Sequence, residues 1–336
     1  MYFICKLNFK VITKIINIFS FNNLIIFIIF YYLLKIFNSL IFSHAHGFTK
    51  LFVFGDSYVD TGNRNFSARS WNQPYGITLP GKPAGHYSNG RKMENTSLEN
   101  GMNFAFGGTG VFDTLVSAPN MTIQIDLFQR QLQRNSIPRL ILTPPLLWYL
   151  WPAMTILHTL PEMGLSAFTK SMIKQLGLNL QRIHGLGVRK IAVMNIQPLG
   201  CLPSETISDL YKNCSTSGNS VSLFHNQVLE KTVEKLNNKS KESVFVILNM
   251  YKAFLSALKK QASQPGTLKF KDPLRPCCEA VSTGYKCGNT EHGKRMYVVC
   301  NNPNSTFFWD DVHPSQAGWR AVYLALKSSA YSLALM

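Results

Sequence analysis

Apolar residues in this chain fall into short continuous runs separated by stretches of helical period. Lys50–Phe54 (KLFVF) is a buried-strand pattern closed by Gly55-Asp56, residues 189–196 (RKIAVMNI) are a second, closed by Pro198 and Gly200, and residues 243–250 (SVFVILNM) are a third. Residues 165–184 read as a helix, and 217–238 as an amphipathic helix with Val221, Phe224, Val228 and Val233 near one face. A further helix follows the third strand through about Lys260, and residues 315–333 form a terminal helix. Residues 64–120, rich in Gly, Asn, Pro and Ser, and the Cys/Gly/Pro-rich stretch 264–303 read as loops. Apolar strands alternating with helices predict an α/β domain whose parallel sheet is covered on both faces.

The N-terminus has a different pattern. Residues 1–23 are basic and lack acids, 24–34 (LIIFIIFYYLL) are uninterruptedly apolar, and Ser43-His44-Ala45 offers small residues in an A-x-A-like order. That succession predicts a secretory signal peptide cleaved near Ala45, leaving a domain over 47–336. The apolar stretch, broken only by Lys35 and Asn38-Ser39 on the way to Phe42, is also long enough for an uncleaved membrane anchor over 24–42. Asn-x-Ser/Thr sequons at Asn65, Asn95, Asn120, Asn213, Asn238 and Asn304 agree with a secreted glycoprotein. Beyond Cys5 in the leader, six cysteines remain, an even number that predicts disulfides in an oxidising compartment. Cys201 and Cys214 are offered as a local pair; the connectivity of Cys277, Cys278, Cys287 and Cys300 stays open. Adjacent Cys277-Cys278 and the lack of any C-x-x-C pair disfavour zinc.

Composition narrows the class. With 336 residues, 46% hydrophobic and 15% charged, the chain is too apolar for disorder and too long for a disulfide miniature. Its net charge of +17 would suit a polyanionic partner. The Lys and Arg are scattered, however, with no Arg-rich arm and no finger or helix-turn-helix spacing, so a nucleic-acid role is excluded.

Candidate chemistry lies at the two ends of the domain. Phe54-Gly55-Asp56-Ser57 places a serine in the turn after the first strand, at the sheet edge where α/β folds build their sites. More than two hundred residues later, Phe307-Phe308-Trp309-Asp310-Asp311-Val312-His313-Pro314 sets Asp310 three residues before His313, so that the carboxylate can hold one ring nitrogen while the other faces a hydroxyl. Gly-x-Ser-x-Gly is absent, which disfavours an ordinary α/β-hydrolase.

The blocks FVFGDSYVDTGN (52–63), GHYSNGR (85–91), NFAFGGTGVFDT (103–114), KIAVMNIQPLGCLP (190–203), PCC with CG (276–288) and FFWDDVHPSQAGW (307–319) resemble the plant-type GDSL esterase/lipase family of the SGNH hydrolases. The resemblance covers nearly everything from about residue 47 onward. It implies a flavodoxin-like three-layer α/β/α sandwich and hydrolysis of carboxylic esters (lipid, aryl or acetyl-sugar) without metal or organic cofactor. It also implies Ser57 as nucleophile, His313 as base, Asp310 as its orienter, and an oxyanion hole of the Ser57 and Gly108 backbone N–H groups, with Gly107 the neighbouring candidate. Asp311 stands at the wrong offset. Tyr58 replaces the leucine of the family name, with no expected effect on the chemistry.

One family block is missing. A Gly-x-Asn-Asp, whose Asn donates to the oxyanion, is expected between NFAFGG and KIAVMN; the chain has IPRLILTPPLLWYLWPAMTILHTL over 137–160 instead. Reading degenerate codons for 144–157 from the third base of Pro144 permits Ser-Val-Ala-Leu-Val-Ser-Leu-Ala-Gly-Asn-Asp-Tyr-Ser, and several of these triplets are forced by Trp148, Trp151 and Met154. Residues 136–163 are therefore read as translated out of frame. Two alternatives to a secreted esterase follow: a catalytically impaired glycoprotein that binds through the old cleft, and a membrane-anchored form.

Overall fold

A computed structural model describes residues 50–78, 80–89, 101–134, 145–149, 164–240, 243–259 and 270–335. The leader with Cys5, the Asn95 sequon, Gly90-Arg91 and most of 136–163 lie outside the described residues. Five strands form one parallel sheet: β1 Lys50–Phe54, β2 Gly101–Asn103, β3 Pro145–Tyr149, β4 Lys190–Met194 and β5 Phe245–Leu248. Their order is β2-β1-β3-β4-β5, the doubly wound order of flavodoxin-like folds. Phe52 sits between Met102 of β2 and Leu147 of β3, and Leu147 in turn faces Ile191 of β4.

Every pairing is parallel, so each connection must cross over the sheet. Helices α1 Met121–Gln133, α2 Gly164–Gly185 and α3 Thr216–Ser240 make three successive crossovers. These step the same way along the sheet, and right-handed connections then place all three helices on one face. Contacts of α1 with α2 and of α2 with α3 agree. Helices α4 Met250–Lys259 and α5 Gln316–Leu335 meet instead around Phe254, whose ring packs edge-on against both Phe307 and Trp319. The α/β class and the parallel sheet are as the sequence predicts.

Two elements were not legible in the pattern. The short strand β2 lies inside a stretch expected to be loop, and α1 was not predicted. Helix α1 is capped by the Asn120 side chain, which accepts from the Ile123 N–H, and buries Met121, Ile125, Phe128 and Leu132 at helical spacing. Phe128 closes on Phe52 and Phe54, two residues apart on one face of β1, with ring centroids 5.0 and 5.7 Å away. The 264–303 loop also carries an antiparallel pair, Cys278–Ala280 with Tyr297–Val299. Among the described residues no helix is long and apolar enough to cross a membrane.

Helix α3 carries a pH-sensitive group. His225 is fully buried beside the Asn226 amide, which clamps the Ile196 N–H and C=O at the end of β4. Burial pushes its pKa down from 6.5 to about 4, against the Asn226 hydrogen bond. The unfolded chain therefore takes a proton first as pH falls, and stability drains between pH 6.5 and 4, by on the order of 3 kcal/mol for a shift of this size. Buried Asp56, pushed up from 3.8 to about 7, acts in the opposite sense, losing stability as pH rises through that window. The difference between wild type and His225→Leu isolates the histidine. In chemical denaturation, the wild type should lose stability relative to the variant on going from pH 6.5 to 4; a pH-independent difference would refute this.

Candidate active site

The site is built at the C-terminal edge of β1, where the strand order reverses between β2 and β3. Gly55, the first residue beyond β1, is held from both sides by one side chain of α1: Gln124 Oε1 accepts from its N–H at 2.9 Å and Gln124 Nε2 donates to its C=O at 3.0 Å. A single helical turn follows, with the Val59 and Asp60 N–H groups donating to the Asp56 carbonyl and the Tyr58 N–H to the Asp56 carboxylate. Ser57 rides this turn, nearly buried.

The other half comes from the loop before α5. Phe307–Trp309 are fully buried, and the Cys277 and Cys278 N–H groups donate to Phe308 and Trp309 carbonyls, so the cysteine-rich segment lies along this loop. That segment is crosslinked by Cys277–Cys300 and Cys278–Cys287, and Cys201 pairs with Cys214. Ser315 caps α5, its hydroxyl accepting from the Gly318 N–H at 3.0 Å. The GHYSNGR block clamps the same turn: Ser88 donates to the Pro314 carbonyl and Asn89 accepts from the Gln316 N–H.

Across these two halves, His313 Nε2 lies 2.8 Å from Ser57 Oγ, although 256 residues separate them. The other ring nitrogen, Nδ1, lies 2.9 Å from both oxygens of Asp310. Asp310 also accepts from the backbone N–H groups of Val312 and His313 and from the Tyr75 hydroxyl at 2.8 Å. Burial alone would raise the Asp310 pKa, but the facing His313 and these donors outweigh it and hold the carboxyl below its usual range. A hydroxyl on an imidazole that is itself held by an ionised carboxylate is competent for nucleophilic attack on a carbonyl.

Gly107 and Gly108 are distinguished by their hydrogen bonds. The Gly107 N–H donates to Asp60 at 2.7 Å, whereas no described residue accepts from the N–H of Gly108 or of Ser57. Gly108 has φ +82°, and a Cβ there would come within 2.8 Å of Val116, so the turn requires glycine. Asp311 turns away and pairs with Lys286 at 3.1 Å.

Several side chains around the site carried no signal in the sequence. The Tyr87 ring stacks on His313 at 4.9 Å, and the buried Tyr75 hydroxyl backs Asp310. Tyr58, expected to be neutral, donates to the Val312 carbonyl at 2.7 Å and accepts from Gln197 Nε2 at 2.8 Å, tying the histidine loop to the serine turn. Tyr58→Phe takes the acceptor from the buried Gln197 amide and the donor from the partly buried Val312 carbonyl. It should cost about 1–3 kcal/mol in thermal or denaturant unfolding, together with roughly tenfold in kcat; unchanged values for both would show that the tether is idle. His86 is half-buried, with Nδ1 3.1 Å from the Asp60 carbonyl. Among the described residues no group of three or more His, Cys, Asp or Glu is placed to hold a metal.

A cavity of about 430 Å³ opens beside Ser57 and His313, between Gly107, Gly108 and Val116 and the segment Ser204-Glu205. The family described as GDSL-like Lipase/Acylhydrolase matches residues 164–326. Two GDSL esterase/lipases of Arabidopsis thaliana are 45% and 42% identical to this chain, over 84% and 82% of it and 86% and 87% of their own lengths. Among solved structures, an acetyl xylan esterase aligns at TM-score 0.39 and 13% identity, covering 84% of this chain and 98% of that one.

Proposed function

The chain belongs to the GDSL-like lipase/acylhydrolase family and is a carboxylic ester hydrolase, and on that premise we propose that it works through an acyl-enzyme on Ser57. The observation that carries this reading is the unbroken hydrogen-bond line Ser57–His313–Asp310. Ser57 Oγ attacks the ester carbonyl as His313 Nε2 takes its proton, and Asp310 stabilises the imidazolium. The oxyanion settles against the Ser57 and Gly108 N–H groups. Collapse breaks the ester C–O bond, the alcohol leaves with the proton from His313, and Ser57 keeps the acyl group. Water then attacks, giving a proton to His313; the acyl–Oγ bond breaks as His313 returns that proton to Ser57, and the carboxylic acid leaves. Release of 4-nitrophenol from a short-chain ester tests this: turnover well above the buffer rate supports it, and none beyond that rate contradicts it.

Between β1 and β4, the strand Pro145–Tyr149 is formed by the written residues. The expected position of Gly-x-Asn-Asp, just beyond β3, lies outside the described residues. We propose that 136–163 are read out of frame and that the natural chain carries the Asn donor; without it, the two backbone donors act alone at a cost of about 10²–10³ in rate. Sequencing the transcript decides this, since an in-frame series with no Gly-Asn-Asp in any frame ends the idea. Entry into the secretory pathway through the leader, with glycosylation at exposed sequons such as Asn65, completes the reading. Its substrates are small carboxylic esters of lipids, aryl alcohols or acetylated sugars.

A further inference from the structure

Two arginines, Arg64 and Arg69, line the cavity beside Ser57 and form no ion pair with any described carboxylate. Arg64 Nε is buried and, among the described residues, has no hydrogen-bond partner, although a buried charged donor is ordinarily satisfied. The nearby Asp60 carboxylate does not serve it, because the backbone N–H groups of Gly62, Asn63 and Gly107 occupy its oxygens. Among the described residues Arg69 makes one long hydrogen bond, 3.3 Å, to the Cys287 carbonyl, and most of its five donors have no acceptor there.

Their placement ties them to the reacting ester. The Arg64 Cγ lies 3.5 Å from where a Gly107 Cβ would stand, so its stem rests on the turn that presents the Gly108 N–H. The remaining charges belong to a wall where the Ser204 N–H meets the Asp311 carbonyl, and there Lys286 is taken up by Asp311. Glu205 and Asp311 are the acids lining the cavity; Asp311 is paired with Lys286, and its charge and that of Asp310 are felt by Arg69 without an ion pair. Open guanidinium forks in a half-enclosed cleft match the planar geometry of a carboxylate.

We infer that this cavity accepts esters carrying a second, ionised carboxylate, held by Arg64 and Arg69. This rests on the cavity being the ester site proposed above. An ester with a free carboxylate on its acyl side or on its alcohol side meets the requirement, and the two are separable by experiment.

On the acyl side, 4-nitrophenyl hemisuccinate is compared with 4-nitrophenyl methyl succinate; on the alcohol side, 4-acetoxybenzoate with its methyl ester. In at least one pair the anionic member should have the higher kcat/KM, by about tenfold or more. That ratio should fall towards one in Arg64→Gln and stay intermediate in Arg64→Lys, which keeps the charge but loses the fork. A ratio taken on one protein cancels any general loss of activity. Ser57-dependent turnover with a ratio of one or less in both pairs overturns the inference and leaves the hydrolase standing. Absence of all turnover strikes the hydrolase reading instead, and calorimetric titration of Ser57→Ala protein with 4-acetoxybenzoate and its methyl ester then decides. Anion binding about tenfold tighter, and lost when Arg64→Gln is added, upholds the subsite; equal or weaker binding of the anion removes it.

Discussion

Ser57→Ala should lower kcat for a short 4-nitrophenyl ester by about 10⁴- to 10⁶-fold, with little change in KM. The hydroxyl is the atom that forms the covalent bond, and no neighbouring group replaces it. Tyr87 is a poor substitute, since it stacks on the face of His313 and does not meet its Nε2. The fold should survive, because the serine turn is held by backbone bonds to Asp56 and by the Gln124 clamp on Gly55, none of which uses the Ser57 side chain. Thermal unfolding of the variant beside its activity separates loss of chemistry from loss of structure. Equal rates for the two proteins would defeat the assignment.

Asp310→Asn should be nearly as severe, lowering kcat by about 10⁴-fold. Both carboxylate oxygens lie 2.9 Å from His313 Nδ1, so the native ring keeps its proton on that nitrogen and presents bare Nε2 to the serine. An amide that turns its NH2 towards Nδ1 reverses the tautomer, placing the ring proton on Nε2, where it faces the hydroxyl it should deprotonate. With the NH2 in place of Oδ2, the Val312 and His313 N–H groups still hold Oδ1 and keep the loop in place, while the Tyr75 hydroxyl loses its acceptor and the base is disabled. Loss of activity with near-native unfolding is the expected pair of results. Activity within tenfold of wild type would mean that Asp310 does not set the ring.

How much of this was legible follows from where the information resides. Lys50–Phe54 and Lys190–Met194 were readable because strands buried on both faces are continuous apolar runs. Strand β2 was not: Gly101, Met102 and Asn103 have no apolar run, and are strand because β1 offers them a ladder. Helix α1 did have a signal, an Asn cap followed by Met121, Ile125, Phe128 and Leu132, but Gln124 falls within that face and blurs its period. Its burial is explained by the Gly55 peptide it satisfies.

Ser57, Asp310 and His313 were legible as motifs, and their meeting was not, since a contact across 256 residues exists only once the sheet has formed. The tyrosines around them escaped because nothing local marks a hydroxyl that finds its partner across the fold, as Tyr75 does with Asp310. The Arg64 and Arg69 pair escaped for the same reason, dissolved in a chain with 34 basic residues.

The most direct measurement is to treat the full-length protein with a fluorophosphonate, which traps an activated serine, and to read the modified peptide by mass spectrometry. One equivalent of label on Ser57, with parallel loss of esterase activity and no labelling in the Asp310→Asn protein on the same timescale, is the predicted result. Complete loss of activity with Ser57 unmodified, or labelling that proceeds equally without Asp310, would contradict it.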